Sequence, residues 1–285
     1  MYPQYFLTRL LILLTTLAGS VFAADRVGDF SLLDQEGYFH QMSWYDNNKA
    51  VALMVHARHD DQVKAQLPAF MKLKSAYEKK GIKLFMINSS GLENREAIKA
   101  DLASMGVSIP VLMDDARVIS SSLGVTQTSE VFVMDPKSFK LLFKGPVGEQ
   151  LTEAFDSIIA NKNIQVSETT EFGSPVLYPV RTSHRRHTPS YENEIGPIIA
   201  ENCATCHRVG GIAPFAFDSH TMVKGWSQMI REVLMTKRMP PGQIDSHIGE
   251  FINDMVLTDE KLQKIIYWIE AGCLLYTSPS PRDVS

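Results

Sequence analysis

Between residues 25 and 160 the spacing of apolar side chains switches repeatedly between two periods. The stretch 25–45, with Phe30-Ser31-Leu32-Leu33 before a turn at Gly37, fits two short strands. Val51-Ala52-Leu53-Met54-Val55, entered from Lys49, is an unbroken apolar run of the kind shown by a buried parallel strand. Asp60 and Asp61 mark a helix start, where carboxylates satisfy orphan amides and suit the helix dipole. Val63, Leu67, Phe70, Leu73 and Tyr77 then recur at helical spacing up to Gly81, with Pro68 expected to kink the helix. A strand over 82–87, a helix over 93–105, a strand over 111–113 and a short helix over 116–123 follow. After them come a strand over 131–134, a turn at Asp135-Pro136, a strand over 141–144 and a helix over 151–160. This alternation predicts an α/β layered sheet over residues 24–160.

Residues 161–190 lose the periodicity and are rich in Asn, Ser, Thr and Pro, which predicts an interdomain linker. Arg185 and Arg186 there suit an acidic partner or a solvated face equally, and His184 and His187 are as ambiguous. From 191 to 272 the pattern is helical only. Ile195, Ile198 and Ile199 give a helix over 192–202 its apolar face. Val223, Trp226, Ile230, Val233 and Leu234 stripe a helix over 222–237 capped by Ser219 or Thr221. Thr258, Asp259 and Glu260 open a final helix through Ile265, Ile266, Trp268 and Ile269. The second half is therefore expected to be an all-α domain.

The chemistry concentrates at Cys203-Ala204-Thr205-Cys206-His207, the C-x-x-C-H spacing that attaches a c-type haem. Two thiols one turn apart reach two vinyl groups, and the adjacent imidazole of His207 meets the iron as proximal ligand. A zinc site is the competing reading, but no second cysteine pair completes one. For the distal ligand the candidates are Met239, Met229, Met235, His220 and His247. Met239 is favoured because Arg238-Met239-Pro240-Pro241-Gly242 presents a thioether on a proline-stiffened loop. The glycines of Gly210-Gly211-Ile212-Ala213-Pro214-Phe215 are expected to let the backbone approach the porphyrin. His56, His59, Asp60 and Asp61 at the first strand-helix junction are either a divalent-metal cluster or a capped helix end, the latter being the commoner arrangement.

Composition narrows the class. The chain has 285 residues, 45% hydrophobic and 21% charged, enough to bury a core in one large or two modest domains. A net charge of -4, without a basic run, argues against nucleic acid. Arg9, the apolar run Leu10–Leu17 and Val21-Phe22-Ala23 have the build of a cleaved export signal over 1–23, so the mature chain is expected to start at Ala24 in the periplasm, without a membrane span. At the other end, Cys273 to Asp283 resembles the translation of a common transposase sequencing adapter. Residues 273–285 are set aside on that ground, Cys273 among them, and the natural chain is expected to continue past Gly272.

Two resemblances follow from particular stretches. Phe30-Ser31-Leu32-Leu33-Asp34-Gln35-Glu36-Gly37, Ala65-Gln66-Leu67-Pro68-Ala69, the run Gly81 to Asn88 and the run Leu123 to Asp135 resemble the thioredoxin-like redoxin family of peroxiredoxins and thiol-disulfide reductases. That resemblance implies a central mixed sheet flanked by helices. The family's thiol positions fall here on Asp60 and Val63, its active-site proline on Ser129, and no cysteine lies between 25 and 202. Thiol redox chemistry is thereby excluded from this domain, which reads as a scaffold or interaction domain. Residues 191–272 resemble a cytochrome c domain. That implies one covalent haem c held by Cys203 and Cys206, with His207 and Met239 on the iron. The Gly-Gly-Ile-Ala-Pro-Phe and Arg-Met-Pro-Pro pieces look most like multidomain proteins that add a copper type II monooxygenase-like domain.

The leading expectation is an exported electron carrier serving an unidentified redox partner protein. The alternatives are the N-terminal piece of a haem- and copper-dependent monooxygenase, whose cytochrome domain feeds electrons to copper, and a haem protein with an open sixth site.

Overall fold

The structure, a computed structural model, describes residues 26–91, 93–164, 173–245, 247–249, 251–252 and 254–276. The expected export signal lies outside the described residues. Strands β1 (Ser31–Leu33) and β2 (Phe39–Gln41) pair antiparallel around the Gly37 turn. A five-stranded sheet has the order β5-β4-β3-β6-β7, from β3 (Ala50–His56), β4 (Ile82–Asn88), β5 (Val111–Met113), β6 (Val131–Met134) and β7 (Leu141–Gly145). Strands β3, β4 and β5 run parallel; β6 and β7 join antiparallel. Helices α1 (Asp61–Tyr77), α2 (Arg95–Ser104), α3 (Val118–Leu123) and α4 (Glu149–Ile159) fall where the period-3.6 stretches predict them. Asp60 caps α1 by accepting from the amides of Gln62 and Val63, both at 2.9 Å. The helix runs on through Pro68.

The pleat sorts the unbroken apolar strands onto two faces. Ala50, Ala52 and Met54 of β3 and Val131 and Val133 of β6 meet α1, α2 and α4 in one core. Val51, Leu53 and Val55 with Phe132 and Met134 face the other way. On that second side the N-terminal half supplies Phe30, Leu32 of β1, Met42 and the short α3, through Val118, Ile119 and Leu123. The C-terminal helices cover the rest.

Those helices are α5 (Pro179–Arg186), α6 (Gly196–Asn202, entered through a π-turn at Tyr191–Ile195), α7 (His220–Gly225), α8 (Ser227–Met235) and α9 (Asp259–Glu270). Ile195, Ile198, Ile199, Ile230, Leu234, Ile265 and Ile266 lie in the same continuous core as β3 and β6. Polar contacts stitch the two halves at its rim. Arg231 donates to the carbonyl of Val27 at 3.2 Å, and Gln263 to that of Ala116 at 2.7 Å.

Three expectations change. The stretch predicted as a linker is anchored on the redoxin half. Thr128 N–H donates to the carbonyl of Ser174 at 2.9 Å and Val176 N–H to that of Thr126 at 2.8 Å, and α5 follows. Pairing with a remote segment leaves no local period, which is why it escaped sequence reading. The helix predicted over 222–237 is two, interrupted at Trp226 beside Gly225, the weakest helix former available short of proline. Residues 273–275, set aside above, take part in the fold: the Leu274 carbonyl accepts from Trp268 Nε1 at 2.9 Å and from the Tyr191 amide at 3.1 Å.

Candidate functional site

The loop after α6 is built by the backbone folding over the cysteine pair. Cys206 and His207 N–H both bond the carbonyl of Cys203, at 3.2 and 2.9 Å, extending the helical turn. The chain then doubles back. Gly211 N–H reaches the carbonyl of Arg208 at 2.9 Å, Ala213 that of Cys206 at 3.1 Å, and Phe217 that of His207 at 2.9 Å. Gly210 turns with φ +71°, a conformation that favours glycine. A Cβ on Gly211 would stand 2.3 Å from the Cys206 carbonyl oxygen. The close approach expected toward a porphyrin is thus made by the loop toward itself.

His207 is oriented from both sides. Its ring stacks on Phe217, centroids 4.6 Å apart, and tilts against Phe215 at 4.8 Å. Phe215 in turn stacks on Trp226 at 4.3 Å. The Nδ1 nitrogen lies 3.2 Å from the carbonyl oxygen of Phe215. A carbonyl only accepts, so Nδ1 carries the proton and Nε2 keeps its lone pair. Metal-binding imidazoles are held in this way.

Cys203 and Cys206 are free thiols. Burial pushes the Cys203 thiol up to about 11, so it is uncharged at neutral pH and a poor nucleophile. Among the described residues no group of three or more His, Cys, Asp or Glu side chains is arranged to hold a metal ion.

Cys203, Cys206, His207 and Met239 line one cavity of about 450 Å³, with Phe215, Phe217, Trp226, Ile230 and Ile265 as apolar walls. That is within the range of about 300–1,000 Å³ typical of cofactor sites. The sequence scatters these groups from 203 to 239; α8 and the loop behind it bring them together. Of the rival distal ligands, Met229 also lines the cavity, whereas Met235, His220 and His247 do not. Met235 is buried in the shared core. His220 Nε2–H donates to the carbonyl of Cys273 at 2.8 Å, and His247 stands beside Asp245 and Asp115. Met255 lines the same cavity and was missed. It sits in an aperiodic stretch, and its only sequence signal is an apolar side chain next to Asp254.

An apolar cavity with paired thiols, an imidazole presenting Nε2 and a thioether fits a covalently held haem. Cys203 and Cys206 would carry the thioether links, and His207 and Met239 would face the iron.

The residues that the resemblance aligns with the family's thiol and proline positions do structural work here. Asp60, at a thiol position, caps α1 and accepts from Thr128 Oγ1 at 2.9 Å. Val63, at the other, is on the buried face of α1. His56 is 1% exposed and accepts from Asn88 Nδ2 at 3.3 Å; burial holds it down at about 4, hence neutral. Ser129, where the family has proline, is fully buried with φ +63°.

Comparison with known proteins bears on the first half of the chain. No curated protein is similar to this chain. A hypothetical protein from Sinorhizobium meliloti is 20% identical with a TM-score of 0.49, the match covering 53% of this chain and 91% of that one. An uncharacterized conserved protein from Geobacillus kaustophilus is 16% identical with a TM-score of 0.48, covering 54% and 90%. A putative thiol:disulfide interchange protein DsbE from Chlorobium tepidum is 20% identical with a TM-score of 0.42, covering 47% and 96%. Residues 23–139 match the AhpC/TSA family, and with the mixed sheet and flanking helices described above this stretch is a thioredoxin-like redoxin domain.

Proposed function

We propose that the chain is an exported haem c electron-transfer protein in which a redoxin domain without thiols supports a cytochrome c-type half. The observation that carries this reading is the single apolar cavity shared by Cys203, Cys206, His207 and Met239. A bound haem would supply an iron that changes oxidation state by one electron. The chain's own residues do the rest. The two cysteines would fix its position by covalent attachment, and the Phe215 carbonyl holds His207 Nδ1, which leaves Nε2 for the metal. The apolar walls would limit the water around it. No helix among the described residues is long and apolar enough to cross a membrane. The sequence of residues 1–23, built like an export signal, supports a periplasmic protein.

The test is expression of the full chain in a host that attaches haem to exported cytochromes. Denatured protein should keep its haem through electrophoresis and give the pyridine haemochrome spectrum of a thioether-linked group. Cys203→Ala with Cys206→Ala should lose it. Wild-type protein that releases its colour on denaturation, or never acquires any, ends the reading.

A further inference from the structure

Residues 236–258, between α8 and α9, form no helix or strand among the described residues, and Met239 is on this loop. Locally, Gln243 Nε2 donates to the carbonyls of Lys237 at 3.1 Å and Pro240 at 3.0 Å. The Arg238 and Met239 amides donate to the Val233 carbonyl of α8 at 2.9 and 3.2 Å, which ties the start of the loop to its own half. Farther along, the loop is fastened by the redoxin domain. Arg95, the first residue of α2, forks onto Asp245. Its Nη2 donates to Oδ1 at 2.9 Å and its Nη1 to Oδ2. The two side chains are only 10% and 12% exposed. Paired, planar contact of this kind fixes direction as well as distance. The Gly37 turn lies against the pair: a Cβ there would stand 3.4 Å from Arg95 Nη1 and 3.7 Å from Asp245 Oδ2. His247 adds Nε2 to Asp115 Oδ2 at 3.5 Å, again between loop and redoxin domain.

Other contacts between the halves serve a different purpose. Arg231 and Gln263 fasten α8 and α9, which buried isoleucines already hold. Arg95 fastens a loop that exposes Ile248 and Ile252 and has little core of its own. A thioether is a weak ligand, and a loop that must be ordered each time it engages loses most of the gain. The redoxin domain removes that cost by holding the loop in advance.

We infer that the thiol-free redoxin domain is the scaffold for the distal side of the cavity, with Arg95 and Asp245 as positioning residues for the Met239 thioether. The inference rests on the haem reading proposed above.

The test uses the full chain with its haem attached. Arg95→Gln and Asp245→Asn are compared with wild type and with Arg181→Gln, which cuts the Arg181–Glu270 ion pair, a contact between α5 and α9 in which no loop residue takes part. Readouts are covalent haem by pyridine haemochrome, the thioether-to-ferric-iron charge-transfer band, the reduction potential and carbon monoxide binding to the ferrous form. Circular dichroism confirms folding. Both loop variants should keep covalent haem, lose the charge-transfer band, fall in potential and bind carbon monoxide readily. Arg181→Gln should behave as wild type. Arg95→Asp combined with Asp245→Arg should recover part of the band; Arg95→Lys, which keeps charge without the fork, should retain less of it than wild type. An unchanged band and potential in both loop variants overturns the inference and leaves the haem reading standing. So does equal loss in Arg181→Gln, which would mean general loosening, and so does a wild type with covalent haem but no such band. A wild type without covalent haem removes the haem reading and this inference together.

Discussion

Met239 and Met229 both line the cavity, and they differ in what carries them. Met229 is on α8, whose backbone is fixed by helix hydrogen bonds, whereas Met239 is on a loop framed by Pro240 and Pro241. On the proposed function, Met239→Ala should abolish the thioether charge-transfer band and lower the reduction potential, because methionine ligation raises it. Met229→Ala should keep both. Visible and near-infrared spectra of the ferric protein check this, and a band that survives in Met239→Ala would move the ligand elsewhere. His56 allows a second prediction independent of haem. Its pKa is about 4 in the folded chain against 6.5 when unfolded. The unfolded state therefore binds the proton first as pH falls, and stability is lost from about pH 6.5 down to about pH 4. Full expression of a shift that size amounts to roughly 3 kcal/mol. Buried Asp114, raised to about 6, acts with the opposite sign, so the wild-type profile mixes the two. The informative quantity is the difference between His56→Gln and wild type in urea unfolding across that window. It should shrink the acid-side loss; parallel profiles would contradict the shift.

At the scale of elements, legibility followed locality. The Val51–Val55 run and the Val63-Leu67-Phe70 spacing are set by residues adjacent in sequence, and β3 and α1 appear where they predict. The cysteine-histidine motif was legible for the same reason. Residues 173–178 were not, because their partners Thr126 and Thr128 lie some 50 residues upstream, across the α4 region. Helix α5 hid differently. Its inner contacts are Arg181 over the ring of Tyr267 and His184 edge-on to the same ring, so polar residues fill the positions where an apolar stripe is sought. The anchored strap has a sharp vulnerability at Gly173. A Cβ there would lie 2.0 Å from the Thr128 carbonyl oxygen and 2.9 Å from its carbon, backbone atoms that can move only with the chain. Gly173→Ala should cost about 1–3 kcal/mol locally. Its signature is faster hydrogen exchange at the Thr128 and Val176 amides, whose acceptors are Ser174 and Thr126, with the β3 amides unaffected. Unchanged exchange at those two amides would show that the strap tolerates the side chain.

For the whole molecule, the decisive feature is that the sheet face bearing Val51, Leu53 and Val55 has no complete cover from its own domain. Helix α3 is six residues long, and Ile230, Leu234, Ile265 and Ile266 from the second half complete that core. Two domains joined by a linker, the arrangement expected from the loss of periodicity over 161–190, would have separate cores and unfold separately. A shared core couples them. Ile266 is fully buried in it, and Ile266→Ala removes three methylene-sized groups there at a cost of about 2–5 kcal/mol. If the halves are one cooperative unit, that cost is felt on both sides. Exchange of the slowest amides in β3, such as Val55 bonded to the Glu130 carbonyl at 2.8 Å, should accelerate by the same factor as those of α9. Acceleration confined to α9 would mean the redoxin half stands alone. It would also weaken the case for that half as a rigid scaffold, since a support must be at least as stable as what it holds in place.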